Sequence, residues 1–239
     1  MTDSLPIALA VMTASDVSLQ TAEAICAAVV TNSVARVYFV QSGPYLDNGR
    51  NQICRIFNHP EVKEHCSHLL MVDSDVGFHP DQIHQLYEAC GSGYGEGRAM
   101  VSGIYYSNFE GELKPVVYDW TTNKEGLKTL EVIDAWDDGW PFWPVHHDKR
   151  GSQDPVIKVE ATGAGFMMIR RECLDVLEAV HGEPQPFFDE PVLDGVHFGE
   201  DLGFCMRVKN AGFSVWAHRE VEVPHYKRVQ LGPQPQPRK

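Results

Sequence analysis

This chain of 239 residues contains no apolar run long enough to span a bilayer, which takes about 20 consecutive apolar residues; the N-terminal run Leu5 to Met12 is far shorter, and no basic segment precedes it. Neither membrane insertion nor export is expected, and the expected location is cytoplasmic. Basic residues are scarce: 20 Lys and Arg against 33 Asp and Glu leave a formal charge of −13, which disfavours nonspecific binding to nucleic acid or to anionic membrane. Cys-x-x-Cys pairs are missing. Cys26, Cys54, Cys66, Cys90, Cys173 and Cys205 are scattered, mostly among apolar neighbours in predicted helices, so they read as reduced core thiols. Internal repeats are absent as well. No glycine-rich basic loop follows the first apolar run, where the sequence is Met12-Thr-Ala-Ser-Asp16, and this argues against a nucleotidyltransferase.

What is present fits one globular domain: 43% apolar and 22% charged residues suffice for a large core. Leu5 to Met12 reads as a buried strand. Ser18 to Val30 reads as a helix burying Leu19, Ala22, Ile25, Cys26 and Val29, and Val34 to Val40 as a second strand, giving the β-α-β start of a parallel sheet. A polar turn, Gln41 to Asn48, precedes a helix near Arg50 to Asn58. The continuous apolar run Leu69 to Val72 has the pattern of a strand covered on both faces. Pro80 opens a helix to Cys90, and Gly91 to Gly97 is a loop. Ala99 to Tyr106 is a strand, with Lys114 to Trp120 and Thr129 to Ile133 as antiparallel additions. Asp134 to Pro155 has no periodicity and reads as a long loop. Val156 to Ala161 and Gly165 to Arg170 are strands, followed by a helix to about Val180. A helix near Glu200 to Asn210 and a strand from Phe213 to Ala217 complete an α/β pattern. Residues 230–239, rich in Pro and Gln, read as a disordered tail.

The most informative stretch is His68-Leu-Leu-Met-Val-Asp-Ser-Asp-Val-Gly-Phe-His-Pro80, because Asp73 and Asp75 follow directly on the buried strand. Ligands of open α/β sheets bind beyond the carboxyl ends of such strands, and residues two apart point to one side. Hard oxygen donors there suit Mg²⁺ or Mn²⁺, which neutralise a diphosphate. With 16 aspartates in the chain, about one Asp-x-Asp pair is expected by chance, so context must decide. A calcium loop is excluded by Phe78 and His84 where it needs glycine and glutamate. A phosphatase with Asp73 as nucleophile normally has Thr or Val where this chain has Gly77. A nucleotide-sugar transferase requires further elements downstream, and two candidates follow. Gly199-Glu-Asp201 opens a helix, whose dipole would hold Asp201 ionised and ready to accept a proton, although acidic residues at a helix start need no catalytic reason. Val223-Pro-His225-Tyr-Lys-Arg228 offers His225 as a nitrogen ligand, with Lys227 and Arg228 for phosphate charge.

Taken in order, the β-α-β start, Arg50-Asn51, Asp73-Ser-Asp75, Val101-Ser-Gly-Ile-Tyr-Tyr106, Gly163-Ala-Gly165, Gly199-Glu-Asp201 and His225 resemble a GT-A fold glycosyltransferase, closest to small viral and bacterial glycosyltransferase-like proteins. The resemblance implies a Rossmann-like, mainly parallel mixed sheet flanked by helices, spanning residues 1–229, with a nucleotide-binding half over about 1–106 and an acceptor half over about 107–229. A viral chain would work in the cytoplasm of its host. The resemblance also implies a divalent cation on Asp75, His225 and Asp73, with Asp73 reaching ribose or the ion through water; an imidazole ligand favours Mn²⁺ over Mg²⁺. Thr13, Asp16 and Gln41 would line the nucleoside pocket, Arg50 and Lys227 would meet the diphosphate or sugar, and Gly163 and Gly165 would let backbone approach the sugar. For these positions, ordinary turn polarity and local glycine geometry are the alternatives. Asp201, beside Glu200, would be the base of an inverting transfer, whereas a retaining enzyme would not need it. The donor would be a UDP- or GDP-linked sugar. The acceptor would be a hydroxyl of a glycan, a protein or a modified nucleic acid base, with Trp136, Trp140, Phe142 and Trp143 as a stacking platform and Lys149 and Arg150 for acceptor charge. His146 and His147 have no partner ligands in that stretch. The rival readings are the Asp73 phosphatase and a non-catalytic sugar- or nucleotide-binding protein of the same fold.

Overall fold

The computed structural model describes residues 5–43, 45–91, 98–109, 111–122, 128–132, 154–193 and 195–227. In chain order the elements are β1 (Ile7–Thr13), α1 (Leu19–Val30), β2 (Arg36–Gln41), α2 (Leu46–Asn58), α3 (Pro60–Lys63), β3 (His68–Asp73), α4 (Pro80–Cys90), β4 (Met100–Ile104), β5 (Tyr106–Phe109), β6 (Glu112–Pro115), β7 (Val117–Thr122) and β8 (Lys128–Val132). They continue with β9 (Val156–Val159), β10 (Ala161–Thr162), β11 (Phe166–Arg170), α5 (Arg171–His181), β12 (Val192–Leu193), β13 (Val196–His197), α6 (Glu200–Asn210) and β14 (Val215–Glu222). The calls on Trp136, Trp140, Phe142, Trp143, His146, His147, Lys149 and Arg150, on Arg228 and on the tail fall outside the described residues.

The central sheet has seven strands in the order β2-β1-β3-β11-β4-β14-β9. β2, β1, β3, β4 and β14 run one way, while β11 and β9 run against them, so the sheet is mixed and mainly parallel as the sequence suggested. Strand alternation sends successive residues to opposite faces. Ala8, Ala10 and Met12 of β1 and Leu69 and Met71 of β3 enter a core with Phe57 of α2, Leu174 of α5 and Phe204 of α6. Ile7, Leu9, Val11, Leu70 and Val72 enter the other core, with Ile25 of α1 and Leu86 of α4. A sheet covered on both faces explains the unbroken apolar runs of β1 and β3. Among the described residues no helix is long and apolar enough to cross a membrane.

Several expectations need correcting. The buried face of α1 is Thr21, Ala24, Ile25 and Ala28, whereas Leu19 and Val29 are largely exposed and Cys26 is exposed; small residues and the Thr21 hydroxyl, which donates to the Val76 carbonyl (2.9 Å), set this face. The other five cysteines are buried. α2 begins at Leu46, inside the stretch expected to be a turn. The strand expected over 99–106 breaks at Tyr105, and the one over 114–120 breaks at Val116, whose N–H bonds the Tyr105 carbonyl at 2.9 Å. The last strand starts at Val215 and continues to Glu222, beyond the expected end at Ala217. That extra length carries the chain back to the end of β3.

Candidate active site

Backbone bonds hold the turn after β3 on both sides. The Ser74 N–H donates to the Met12 carbonyl at the end of β1 (3.1 Å), and the Asp73 N–H donates to the Gly165 carbonyl (2.9 Å). The chain leaving β14 then pairs with the same turn: Tyr226 N–H donates to the Asp75 carbonyl (2.7 Å), Gly77 N–H to the Pro224 carbonyl (3.0 Å), and Val76 bridges His225. Residues 150 positions apart therefore meet, with His225 Nε2 3.1 Å from Asp75 Oδ1. Lys227 Nζ lies 3.0 Å from Asp75 Oδ2. Burial would raise the Asp75 pKa, but the hydrogen bonds and charges of His225 and Lys227 prevail and bring it down to about 2. Asp75 is thus an anion at any working pH.

The donor chemistry of this pair suits a divalent ion. His225 Nδ1 is 3.0 Å from the Tyr106 carbonyl oxygen, which can only accept, so Nδ1 carries a proton and Nε2 is the ring nitrogen turned toward Asp75. The Asp75 carboxylate and Nε2 are the two groups that could share a cation in place of the hydrogen bond between them. Among the described residues no group of three or more His, Cys, Asp and Glu side chains is arranged to hold an ion, so a bound ion would draw only these two side chains from that part of the chain and would need phosphate oxygens and water for the rest. Asp73, expected to share in the ion, is turned to Arg50 instead.

Arg50 is buried, and each of its nitrogens has a partner: Nε with Glu200 Oε1 (3.2 Å), Nη1 with the Ala164 carbonyl (3.1 Å) and Nη2 with Asp73 Oδ1 (3.3 Å). Arg50 therefore acts here as a clamp between β3, the 163–165 turn and the start of α6. Desolvation would lower its pKa, but the charges of Asp73, Asp201 and Glu200 more than offset that and raise it. Asp201 shows the opposite balance. Burial and the neighbouring Glu200 charge push its carboxyl up to about 6, with Arg50 only partly opposing them. Desolvation and like charge thus outweigh about 0.3–1 kcal/mol of dipole stabilisation, although a carboxyl that titrates at about 6 is still an anion above that pH. A carboxyl near neutrality is still suited to exchange protons at working pH.

Gly163 and Gly165 face a tyrosine. A Cβ at Gly163 would lie 2.0 Å from the Tyr105 hydroxyl, and one at Gly165 would lie 3.0 Å from both the Tyr105 ring and Asp73 Oδ2. The Gly165 N–H donates to the Tyr105 hydroxyl (3.4 Å), and the Tyr105 ring also packs edge-on against His225, 5.1 Å between centroids. Burial and the charges of Asp201 and Asp73 raise the Tyr105 pKa well above normal, so it stays a neutral phenol. Tyr105 thus touches both halves of the site. In the sequence Tyr105 has no role of its own, although it stands in the Val101–Tyr106 motif and just past the carboxyl end of β4.

At the ends of β1 and β2, the Thr13 hydroxyl donates to the Asp16 carbonyl (2.8 Å), and Gln41 Nε2 donates to the Ala14 carbonyl (3.3 Å). Asp16 lines a cleft of about 470 Å³ together with Ser18, Leu19, Asp75, Tyr226 and Lys227. This cleft lies where the doubly wound sheet places ligands. A second cleft, of about 450 Å³, lies along α6 among His181, Asp189, Arg207 and Lys209 and contains none of the residues expected to form the site.

No family model matches the sequence, and no curated protein matches it. Solved structures do match it in fold. A197 from STIV is similar over 96% of this chain and 100% of its own, with 14% identity and a TM-score of 0.51. GalNAc-T7, solved with UDP, GalNAc and Mn²⁺, is similar over 95% of this chain, with 10% identity and a TM-score of 0.57; the chain spans 45% of that protein's length. The fold is therefore GT-A-like: a mixed, mainly parallel sheet flanked by helices.

Proposed function

We propose that the protein is a metal-dependent glycosyltransferase that moves a hexose or pentose from a nucleoside-diphosphate sugar to a hydroxyl acceptor. The observation that carries this reading is the Asp75–His225 pair two residues beyond Asp73, which belongs to the buried charges around Arg50, with Tyr105 packed between the two groups. The transfer has two separate needs, charge neutralisation at the departing diphosphate and a proton acceptor for the attacking hydroxyl. Asp75 and His225 would hold the ion, Mn²⁺ in preference to Mg²⁺ because of the imidazole, and the bound ion supplies positive charge to the leaving group. Thr13, Asp16 and Gln41 receive the nucleoside of a UDP- or GDP-linked donor, whereas Gly163 and Gly165, expected to let the sugar approach backbone, make room for Tyr105 instead. Arg50 and Glu200 fix Asp73 and the start of α6.

Asp201 accepts the proton of the acceptor hydroxyl as its oxygen forms a bond to the anomeric carbon, opposite the breaking bond to the diphosphate. The product is inverted. The acceptor is a glycan, a protein or a modified nucleic acid base. A protein of the same fold solved with UDP, GalNAc and Mn²⁺ supports the choice of donor and ion. The Asp73 phosphatase is disfavoured because its nucleophile would be held by a buried arginine. By calorimetry, UDP or GDP with Mn²⁺ should bind the wild type, and Asp75→Ala should weaken that binding about 10- to 100-fold. Equal affinity in the two proteins would remove Asp75 from the donor site.

A further inference from the structure

We infer that Lys227 is a tethered counter-cation for Asp75, which a divalent ion must displace before it can bind. The inference rests on the ion site proposed above and concerns what that site does before the ion arrives. Asp75 presents its two oxygens to two different partners, Oδ1 to His225 Nε2 at 3.1 Å and Oδ2 to Lys227 Nζ at 3.0 Å. An ion held by Asp75 and His225 would share the carboxylate with that ammonium, and two cations on one carboxylate repel. The ammonium is free to move. The Lys227 side chain is 62% exposed, while the backbone beside it is fixed by the Tyr226 N–H bond to the Asp75 carbonyl and by the pairing of Gly77 with Pro224. Departure of Lys227 therefore needs rotation of one solvated side chain and no change of fold. The displaced ammonium stays at the mouth of the cleft that Lys227 lines, where diphosphate charge would receive it.

The test is the affinity for Mn²⁺ alone, read from the free-ion electron paramagnetic resonance signal, with the full chain and no nucleotide present. Loss of an exposed ion pair and of the competing charge in Lys227→Met should tighten Mn²⁺ binding about fivefold. Lys227→Arg, which keeps the charge, should bind as the wild type does. Asp75→Ala should bind no ion in this site. If Lys227→Met binds Mn²⁺ no more tightly than the wild type, or if Lys227→Arg tightens binding equally, the inference is wrong while the metal site stands. If neither the wild type nor Lys227→Met binds Mn²⁺, both this inference and the metal site it rests on fail.

Discussion

Asp201→Asn is expected to lower transfer by about 10² to 10⁴ while leaving nucleotide affinity unchanged. The substitution keeps size and hydrogen-bonding reach but removes the only lone-pair site able to take a proton at that position. No hydrogen bond or ion pair among the described residues joins Asp201 to Asp75 or His225, so a donor held by that pair should not register the change. The pH profile offers a second readout. With the Asp201 carboxyl pushed up to about 6 by burial and Glu200, the wild-type rate should be flat above that pH and fall tenfold per unit below it, as the base becomes protonated. Stability should move the other way. A raised pKa means that the folded protein binds the proton more readily than the unfolded chain between about pH 4 and 6, so this group stabilises the fold as pH falls through that window and costs stability above it. In Asp201→Asn the residual rate should lose the limb near pH 6. A variant that keeps full transfer activity would show that another group is the base.

Arg50→Met is expected to cost about 3–5 kcal/mol of folding stability, measured by urea denaturation. Methionine fills much of the volume, so the loss is electrostatic. Asp73 and Glu200 would each lose a direct partner, and Asp201 would lose the one positive charge that opposes its neighbours. The Ala164 carbonyl would also lose its donor. Protonation relieves such a defect, so the penalty should shrink toward pH 5. Arg50→Lys should give an intermediate loss, because a single ammonium cannot serve Glu200, Ala164 and Asp73 in the fork geometry that the guanidinium provides. A loss below about 1 kcal/mol in Arg50→Met would mean that the carboxylates find other partners or protonate at little cost.

The parts of the fold that were legible in the sequence are those written in short-range pattern. The apolar runs of β1 and β3, Pro80 at the start of α4, and the acidic opening of α6 at Glu200 each follow from neighbours in the chain. Asp75 and His225 could be paired from the sequence only as members of an ordered set of motifs, and the structure brings them to 3.1 Å. The role of Arg50 was not legible. Its three partners lie 23, 114 and 150 residues away, so the clamp exists only once β3, the 163–165 turn and α6 are assembled. The raised pKa of Asp201 was not legible for the same reason, because the helix start is local whereas burial and the surrounding charges are tertiary. The face of α1 was misjudged because Thr21, polar in sequence, satisfies its hydroxyl on the Val76 carbonyl and can be buried.

The central claim, a nucleotide-sugar site completed by an ion, is tested most directly by thermal unfolding of the full chain with UDP- and GDP-linked sugars, each with and without Mn²⁺. The account predicts that at least one donor raises the melting temperature in the presence of Mn²⁺ and has much less effect without it, since a ligand at 100 times its Kd adds about 2.7 kcal/mol of stability. If no donor stabilises the protein under either condition, the transferase reading is contradicted; if one stabilises it equally with and without Mn²⁺, the metal part is.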